Sequence, residues 1–244
     1  ELDALVNDFN RMAQALDDTE RNRRAFIADI SHELRTPLAV VRAELEAIED
    51  GIRPLDRANL GALQGEIRQL GKLIDDLHHL SMTQSGGLAY RFAPLDLAAL
   101  LRSELTGMRV RFATAGLALE ENLPTTPLQV SGDERRLQQV LANLLENALR
   151  YTHTGGRVRV QAARVSAGVQ LIVEDTAPGV PADKCALLFE RFYRVESSRN
   201  RASGGSGLGL AISHNIILAH HGHIHAEPSA LGGLRVVITL PEPA

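Results

Sequence analysis

From Phe26 onward, apolar residues recur at Ile30, Leu34, Leu38, Val41, Leu45 and Ile48, at intervals of three and four along otherwise polar sequence. That spacing gathers them on one face and predicts an amphipathic helix. The run stops at Gly51-Ile-Arg-Pro54, where glycine ends a helix and proline hinders a restart, and Asp56 stands as an N-cap for a second helix. Leu60, Leu63, Ile67, Leu70, Ile74 and Leu77 then alternate three and four without a miss, the seam of a coiled coil. Two antiparallel helices with one narrow stripe each cannot close a core, whereas two such hairpins make a four-helix bundle, so a homodimer is expected. Gly65 and Gly71 each cost the second helix about 1 kcal/mol relative to alanine, which leaves packing to hold it. Upstream, Leu2, Leu5, Phe9, Met12 and Leu16 carry the same spacing, and the charged stretch Asp17 to Arg24 joins them to the first helix. One long helical stalk is predicted.

The pattern changes after the Ser/Gly-rich break at Ser85 to Gly87, and Pro94-Leu-Asp-Leu restarts it, which places a domain boundary near Ala89. A helix opened by Gly132-Asp133 puts Leu137, Leu141, Leu144, Leu145 and Ala148 on one arc, with Asn143 and Asn147 on the opposite face. Val158-Arg-Val160 and Val169 to Val173 alternate around the turn Ser166-Ala-Gly168 and lead into Glu174-Asp175-Thr-Ala-Pro-Gly179. Leu188-Phe-Glu-Arg-Phe-Tyr-Arg194 precedes a polar segment, Glu196 to Ser203, that reads as a lid or a solvated loop. Gly204-Gly-Ser-Gly-Leu-Gly-Leu210 then runs into an apolar helix, Ala211 to Ala219, with Gly222 as its C-cap and a strand beyond.

A chain of 244 residues that is 44% hydrophobic buries a real core and is not mainly disordered. Its 26 basic against 30 acidic residues, net −4, offer none of the basic field that nucleic acid demands, so no DNA or RNA partner is expected. One cysteine, Cys185, forms neither an internal disulfide nor a cysteine metal cluster, in keeping with a reducing compartment. No apolar run approaches the roughly 20 residues that cross a bilayer. Glu1 is not a natural start, so a longer parent chain is expected.

Candidate chemistry begins at Ala28 to Val40, ADISHELRTPLAV. At about 100° per residue, His32 falls roughly 200° from both Ile30 and Leu34 and faces solvent, with Thr36 one turn below it and Glu33 beside it. Pro37 removes an amide hydrogen bond next to this patch, so the helix is expected to bend there. Imidazole is a nucleophile at neutral pH, and a neighbouring carboxylate can hold its second proton, which together describe a phosphate acceptor. In the second part, paired asparagine carbonyls suit Mg²⁺, a carboxylate at a strand end can accept a hydrogen bond from an adenine amino group, and glycines opening a helix let phosphate approach the backbone. The glycine run is neither a P-loop nor a Rossmann fingerprint, and the VAIK and HRD motifs are missing.

In order and spacing, these stretches closely resemble a sensor histidine kinase of bacterial two-component systems. FIADISHELRTPL is similar to the H box, NLLENALRYT to the N box, EDTAPGV to the G1 box, LFERFYR to the F box and GGSGLGLAI to the G2 box. The nearest likeness, in DTAPGV and ESSRNRASGGSGLGLAI, is to envelope-stress sensors within that family. The resemblance implies the end of a HAMP relay domain at 1–20, a dimerisation and histidine-phosphotransfer hairpin at 21–86, and a catalytic ATP-binding domain at 87–244. The implied fold is α + α/β, a dimeric four-helix bundle followed by a GHKL-type sandwich of a mixed sheet on three helices. His32 would accept the γ-phosphoryl group of ATP, Glu33 would act as its base, and Thr36 would place water for dephosphorylating a partner. Asn147 with Asn143 would hold Mg²⁺, Asp175 would read adenine and Tyr151 would line the base pocket. Arg150, Arg191 and Arg194 would meet phosphates, Gly205, Gly207 and Gly209 would form the lid hinge and phosphate contact, and Gly179 and Leu208 would also belong to the nucleotide site. A cognate response regulator is the implied partner. The implied location is the cytoplasmic part of a bacterial inner-membrane protein, touching membrane only through upstream segments.

Two positions depart from the family pattern. Arg150 stands where lysine is frequent, and Ala177 replaces the first glycine of D-x-G-x-G, which requires an ordinary backbone angle there. The cluster His220-His-Gly-His-Ile-His225 spans a helix end and a strand, so its rings are expected to diverge rather than hold a metal, while His78 and His79 read as a partner surface or solvated face. Two other classes stay open on the residues alone: an ATPase that drives a conformational cycle, and an interaction module with a dead nucleotide site.

Overall fold

A computed structural model describes residues 2–84, 89–195 and 206–243, and divides the chain into two compact units, Glu1–His78 and His79–Ala244. The break at Ser85 to Gly87, the polar segment from Glu196 and Gly205 lie outside the described residues.

The first unit is built from α1 (Leu2–Glu49) and most of α2 (Arg57–Gln84). α1 is the single long stalk that the pattern predicts, and it runs on through Pro37. It stops where Gly51 takes φ +70°, a conformation that costs glycine nothing. Asp56 then caps α2 as expected, its carboxylate accepting the Asn59 amide at 2.9 Å. The coiled-coil seam of α2 splits into two series of seven-residue spacing: Leu63 and Leu77 are buried with Leu70 half-buried between them, whereas Leu60, Ile67 and Ile74 stay 43 to 57% exposed. On α1, Phe9, Met12, Leu16, Leu38 and Leu45 are exposed as well. A single chain therefore leaves a long apolar stripe uncovered on this unit. Of the two histidines near the end of α2, His78 is exposed, but His79, expected on a surface, is buried.

In the second unit the order is β1 (Ala93–Asp96), α3 (Leu97–Thr114), β2 (Ala118–Asn122), β3 (Gln129–Gly132), α4 (Glu134–Tyr151), β4 (Arg157–Val165) and β5 (Gly168–Thr176). Then come α5 (Ala182–Cys185), a 3-10 turn (Ala186–Phe189), α6 (Gly209–Ala219), β6 (His223–Pro228) and β7 (Gly232–Leu240). The main sheet has the order β2-β4-β5-β7-β6; β2 and β4 are parallel, which needs a crossover, and the other pairs are antiparallel. β1 and β3 form a separate antiparallel pair. The sheet is thus mixed, and α3, α4 and α6 provide the three helices.

The inner core joins Leu101, Leu105 and Phe112 of α3, Leu141, Leu144 and Leu145 of α4, and Ile212, Ile216 and Ile217 of α6 to Val158, Val160, Leu171 and Ile238 of the sheet. Each such side chain stabilises the fold by about 1.5–3 kcal/mol. The other face carries an alternating row of charge across all five strands. Arg159 donates to Glu120 at 3.0 Å and to Glu174 at 3.4 Å, and Arg235, paired in register with Glu174, bonds Glu227 at 2.8 Å. Strand parity thereby sends neighbouring carboxylates apart: Glu174 joins the outer charge row, and Asp175 turns toward the helices.

Candidate functional site: an exposed histidine and a nucleotide-type pocket

On α1, Ile30 and Leu34 are half-buried while His32 and Thr36 are exposed, as the helical spacing requires; Glu33 is half-buried. Thr36 Oγ1 donates to the His32 carbonyl oxygen at 3.3 Å, and Ser31 Oγ does the same to Ile27 at 2.9 Å. The Thr36 proton is thus spent on the backbone, leaving lone pairs facing solvent one turn below the imidazole.

In the second unit, Asn147 and Asp175 meet in one narrow pocket, walled by Leu144, Ala148, Val173, Leu210, Leu234 and Val236. Apolar walls with a few convergent polar groups are the usual make-up of a small-molecule site. Asp175 Oδ1 accepts the Leu234 amide at 2.8 Å, and the Asp175 residue is only 8% exposed. Burial pushes its carboxyl up to about 6; the Leu234 N–H opposes that and the charge of Glu174 adds to it. Gly233 makes this possible, since a Cβ there would stand 2.0 Å from Asp175 Oδ1. The hydrophobic pattern singles out neither Gly233 nor Leu234; the doubled glycine before the last strand is the available signal.

α6 opens at Gly209 with no side-chain cap, the state in which first-turn amides are available to an anion. Asn143 is 6% exposed and lies under α6, its Nδ2 donating to the Gly209 carbonyl at 3.0 Å and contacting Ser213 Oγ at 3.5 Å. The two asparagines therefore do not share an open face, because α6 covers that side of α4 at Asn143. Gly207 has φ +70°, and a Cβ there would lie 2.9 Å from the Phe192 backbone. Phe192, itself at φ 60°, donates its N–H to the Gly207 carbonyl at 3.1 Å, so the F-box and glycine-loop stretches are joined backbone to backbone. Leu208 is fully buried, and its amide donates to Ser206 Oγ at 3.3 Å.

The remaining candidates are more scattered. Arg191 lines a different hollow, with Phe189, His214, Asn215 and His225, and not the narrow pocket of Asn147 and Asp175. Arg150 is exposed, and Tyr151 and Arg194 are half-buried. Gly179 packs against β7, where a Cβ would lie 2.9 Å from the Gly232 carbonyl. Ala177 keeps an ordinary backbone angle, as expected, and its carbonyl accepts the His153 amide at 3.1 Å. Among the described residues no group of three or more His, Cys, Asp or Glu is placed to hold a metal; of the histidine cluster, His220 is buried, whereas His221, His223 and His225 are exposed. Gly222 is not the left-handed residue that ends α6. His221 takes that role at φ 55°, with the 6→1 and 5→2 bonds of Gly222 to Ile217 and His221 to Leu218, while Gly222 is needed because a Cβ would meet the Thr239 carbonyl at 2.6 Å.

Residues 22–86 match the His Kinase A (phospho-acceptor) domain, and residues 132–244 match the histidine kinase-, DNA gyrase B-, and HSP90-like ATPase family. The solved structure of the Acinetobacter baumannii histidine kinase AdeS is similar with a TM-score of 0.73 and 31% identity, covering 87% of this chain and 98% of that one. The chain belongs to the histidine kinase family. It is 52% identical to the signal transduction histidine-protein kinase BaeS of Escherichia coli K12 over 99% of its own length and 51% of that protein's. It is 34% identical to the histidine-protein kinase/phosphatase MprB of Mycolicibacterium smegmatis, over 96% of this chain and 48% of that protein. The chain thus spans about half the length of the curated relatives it matches.

Proposed function

We propose that this chain is the catalytic part of a homodimeric sensor kinase of the BaeS type, which transfers the γ-phosphoryl group of ATP to His32 and then to an aspartate of a response regulator. The observation that carries the reading is the division of labour within one chain. A solvent-facing nucleophile on α1 stands in a unit of its own, and a pocket joining Asn147 to Asp175 stands in the other. A simple ATPase has no use for the first, and an interaction module none for the second.

In this reading the ionised Asp175 accepts the adenine amino group, with Leu234 N–H holding its other oxygen. The uncapped start of α6 receives phosphate through backbone amides. Asn147 offers a carboxamide oxygen of the kind Mg²⁺ binds; the Asn143 amide is engaged by α6, so Asn143 acts by fixing that helix. Mg²⁺ would supply charge neutralisation on the phosphates. A ring nitrogen of His32 attacks the γ-phosphorus, the bond to the bridging β,γ-oxygen breaks, ADP leaves, and Glu33 takes up the second ring proton. Thr36, with its lone pairs outward, accepts a hydrogen bond from the water that removes phosphate from the regulator. The name of the MprB relative includes a phosphatase, which supports that second activity.

The uncovered stripe on α1 and α2 is the bundle interface with a second copy. The domain limits are 1–20, 21–86 and 87–244, with the first stretch as the end of a HAMP domain. No helix among the described residues is long and apolar enough to cross a membrane, and the inner-membrane spans are assigned to upstream segments of the parent protein. The test is to incubate the whole chain with ATP and Mg²⁺ and to separate phosphoprotein from free phosphate. A kinase yields phosphoprotein; free phosphate alone would make the chain an ATPase.

A further inference from the structure

The helices that carry the nucleotide groups are tied at both ends. Near the pocket, Asn143 of α4 holds the Gly209 carbonyl at the start of α6. At the far end, His220, the residue that closes α6, reaches the start of α4: its Nε2 accepts the backbone N–H of Asp133 at 2.9 Å. Only a ring nitrogen without a proton can accept, so the proton sits on Nδ1, which donates to the Ile216 carbonyl at 2.7 Å. The imidazole is 1% exposed. Space for it is made by Gly132, where a Cβ would lie 3.1 Å from His220 Cδ2 and 3.3 Å from Nε2.

The same joint receives the segment that enters the unit. Phe92 lies 4.9 Å from the His220 ring centroid and Tyr90 meets it edge-on at 5.6 Å. Between them, the Arg91 amide donates to Asp133 Oδ2 at 2.9 Å, while Asp133 Oδ1 caps α4 through the Arg136 amide at 3.2 Å.

We propose that His220 is a positioning residue for nucleotide binding: as a neutral, Nδ1-protonated imidazole it fixes the far end of α6 to the first turn of α4 and to the entering Tyr90–Phe92 segment. This rests on the nucleotide reading of the pocket. The joint sets the tilt of α6, and with it the glycine-bearing end, against Asn147. Protonation would set a donor against the Asp133 N–H and open the tie. The groups facing the ring are the Asp133 carboxylate, Arg136 behind it, Tyr90 and the adjacent His221. Burial holds the imidazole below its ordinary value of about 6.5, against the Ile216 carbonyl and Asp133, so the tie is closed at neutral pH.

The experiment titrates ATP with Mg²⁺ into the whole chain by calorimetry, for the parent, His220→Leu and His220→Gln, from pH 7.5 down to 5, with a thermal melt of each. His220→Leu keeps bulk but loses both bonds, and is expected to weaken binding roughly tenfold at pH 7.5, the scale of one buried hydrogen bond. Asp175 titrates in every variant, so the share due to His220 is the difference between profiles: the parent should lose more affinity on acidification than His220→Gln, whose side chain does not titrate. A lower melting temperature for His220→Leu with unchanged affinity makes His220 purely structural and overturns the proposal, as does identical pH dependence in parent and His220→Gln. A parent chain that does not bind ATP at all overturns the nucleotide reading instead.

Discussion

Thr36 Oγ1 donates its proton to the carbonyl oxygen of His32, one helical turn away, at 3.3 Å. The hydroxyl beside the proposed phosphate acceptor is therefore oriented by the backbone of that same residue. With its proton directed into the helix, it can only accept from a water in front of it. The two side chains share a face but are expected to serve opposite reactions.

Thr36→Ala should leave phosphorylation of the chain largely intact and slow removal of phosphate from the regulator about tenfold to a hundredfold, the usual penalty for a misplaced reactant. The decay of purified phosphorylated regulator, with ADP and each variant, measures it. Decay as fast as with the parent returns Thr36 to an ordinary surface residue.

Asn147 and Asn143 should differ in kind. Asn147→Ala removes the oxygen at the proposed metal position and should weaken Mg²⁺-ATP binding by about 100-fold. Asn143→Ala frees Gly209 and Ser213 and should lower the melting temperature as well as the affinity. Calorimetry and a thermal melt separate them; unchanged affinity in Asn147→Ala would remove it from the metal role.

Gly233→Ala forces a methyl group to within 2.0 Å of where Asp175 Oδ1 now sits. The carboxylate must move, at about 1–3 kcal/mol of overpacking, and lose its bond to Leu234. Retained ATP affinity in that variant would show that Asp175 does not need this placement.

Two raised carboxyls set the pH dependence. Burial lifts Asp76 to about 6, with Asp75 adding to it and Lys72 opposing, and Asp175 also stands at about 6, against 3.8 for an ordinary aspartate. The folded state thus holds these protons more tightly than the unfolded one, so the contribution of these two groups to stability falls as pH rises from about 4 to about 6 and then levels. Asp175→Asn removes its share of that cost and should melt higher than the parent at pH 7.5, by on the order of 2 kcal/mol, with no advantage near pH 4. It should also lose ATP. An equal melting difference at both pH values would contradict the assignment.

Light scattering tests the bundle. Leu60, Ile67 and Ile74 are exposed in the single chain, and in the proposed four-helix bundle a second copy covers them. A monomer at micromolar concentration would contradict the proposed dimer.

The helical unit is legible in the sequence because its signal is periodic: the apolar spacing, the glycine stop and the Asp56 cap each act within a few residues of themselves. The hairpin of β4 and β5 is legible for the same reason, though it runs nine residues on each side because register, not local alternation, sets its length. β2 is not visible, since two of the five residues from Ala118 to Asn122 are acidic, and those glutamates are stabilised by Arg109, Arg157 and Arg159 from other elements. Within the site, Asn147 and Asp175 can be named from the motifs, but the covering of Asn143 by α6 and the need for Gly233 depend on residues distant in sequence. The choice of Asp175 over Glu174 rests on strand parity, which a motif does not state.

The most direct measurement is to map the phosphate that ATP leaves on the chain. Parent and His32→Gln are incubated with γ-labelled ATP and Mg²⁺, the protein is exposed to acid and to base, and ATP binding is measured for both. An acid-labile, base-stable label is expected on the parent, and none on His32→Gln, which still binds ATP with parental affinity. A label that survives acid, or that persists in His32→Gln, would contradict the kinase reading.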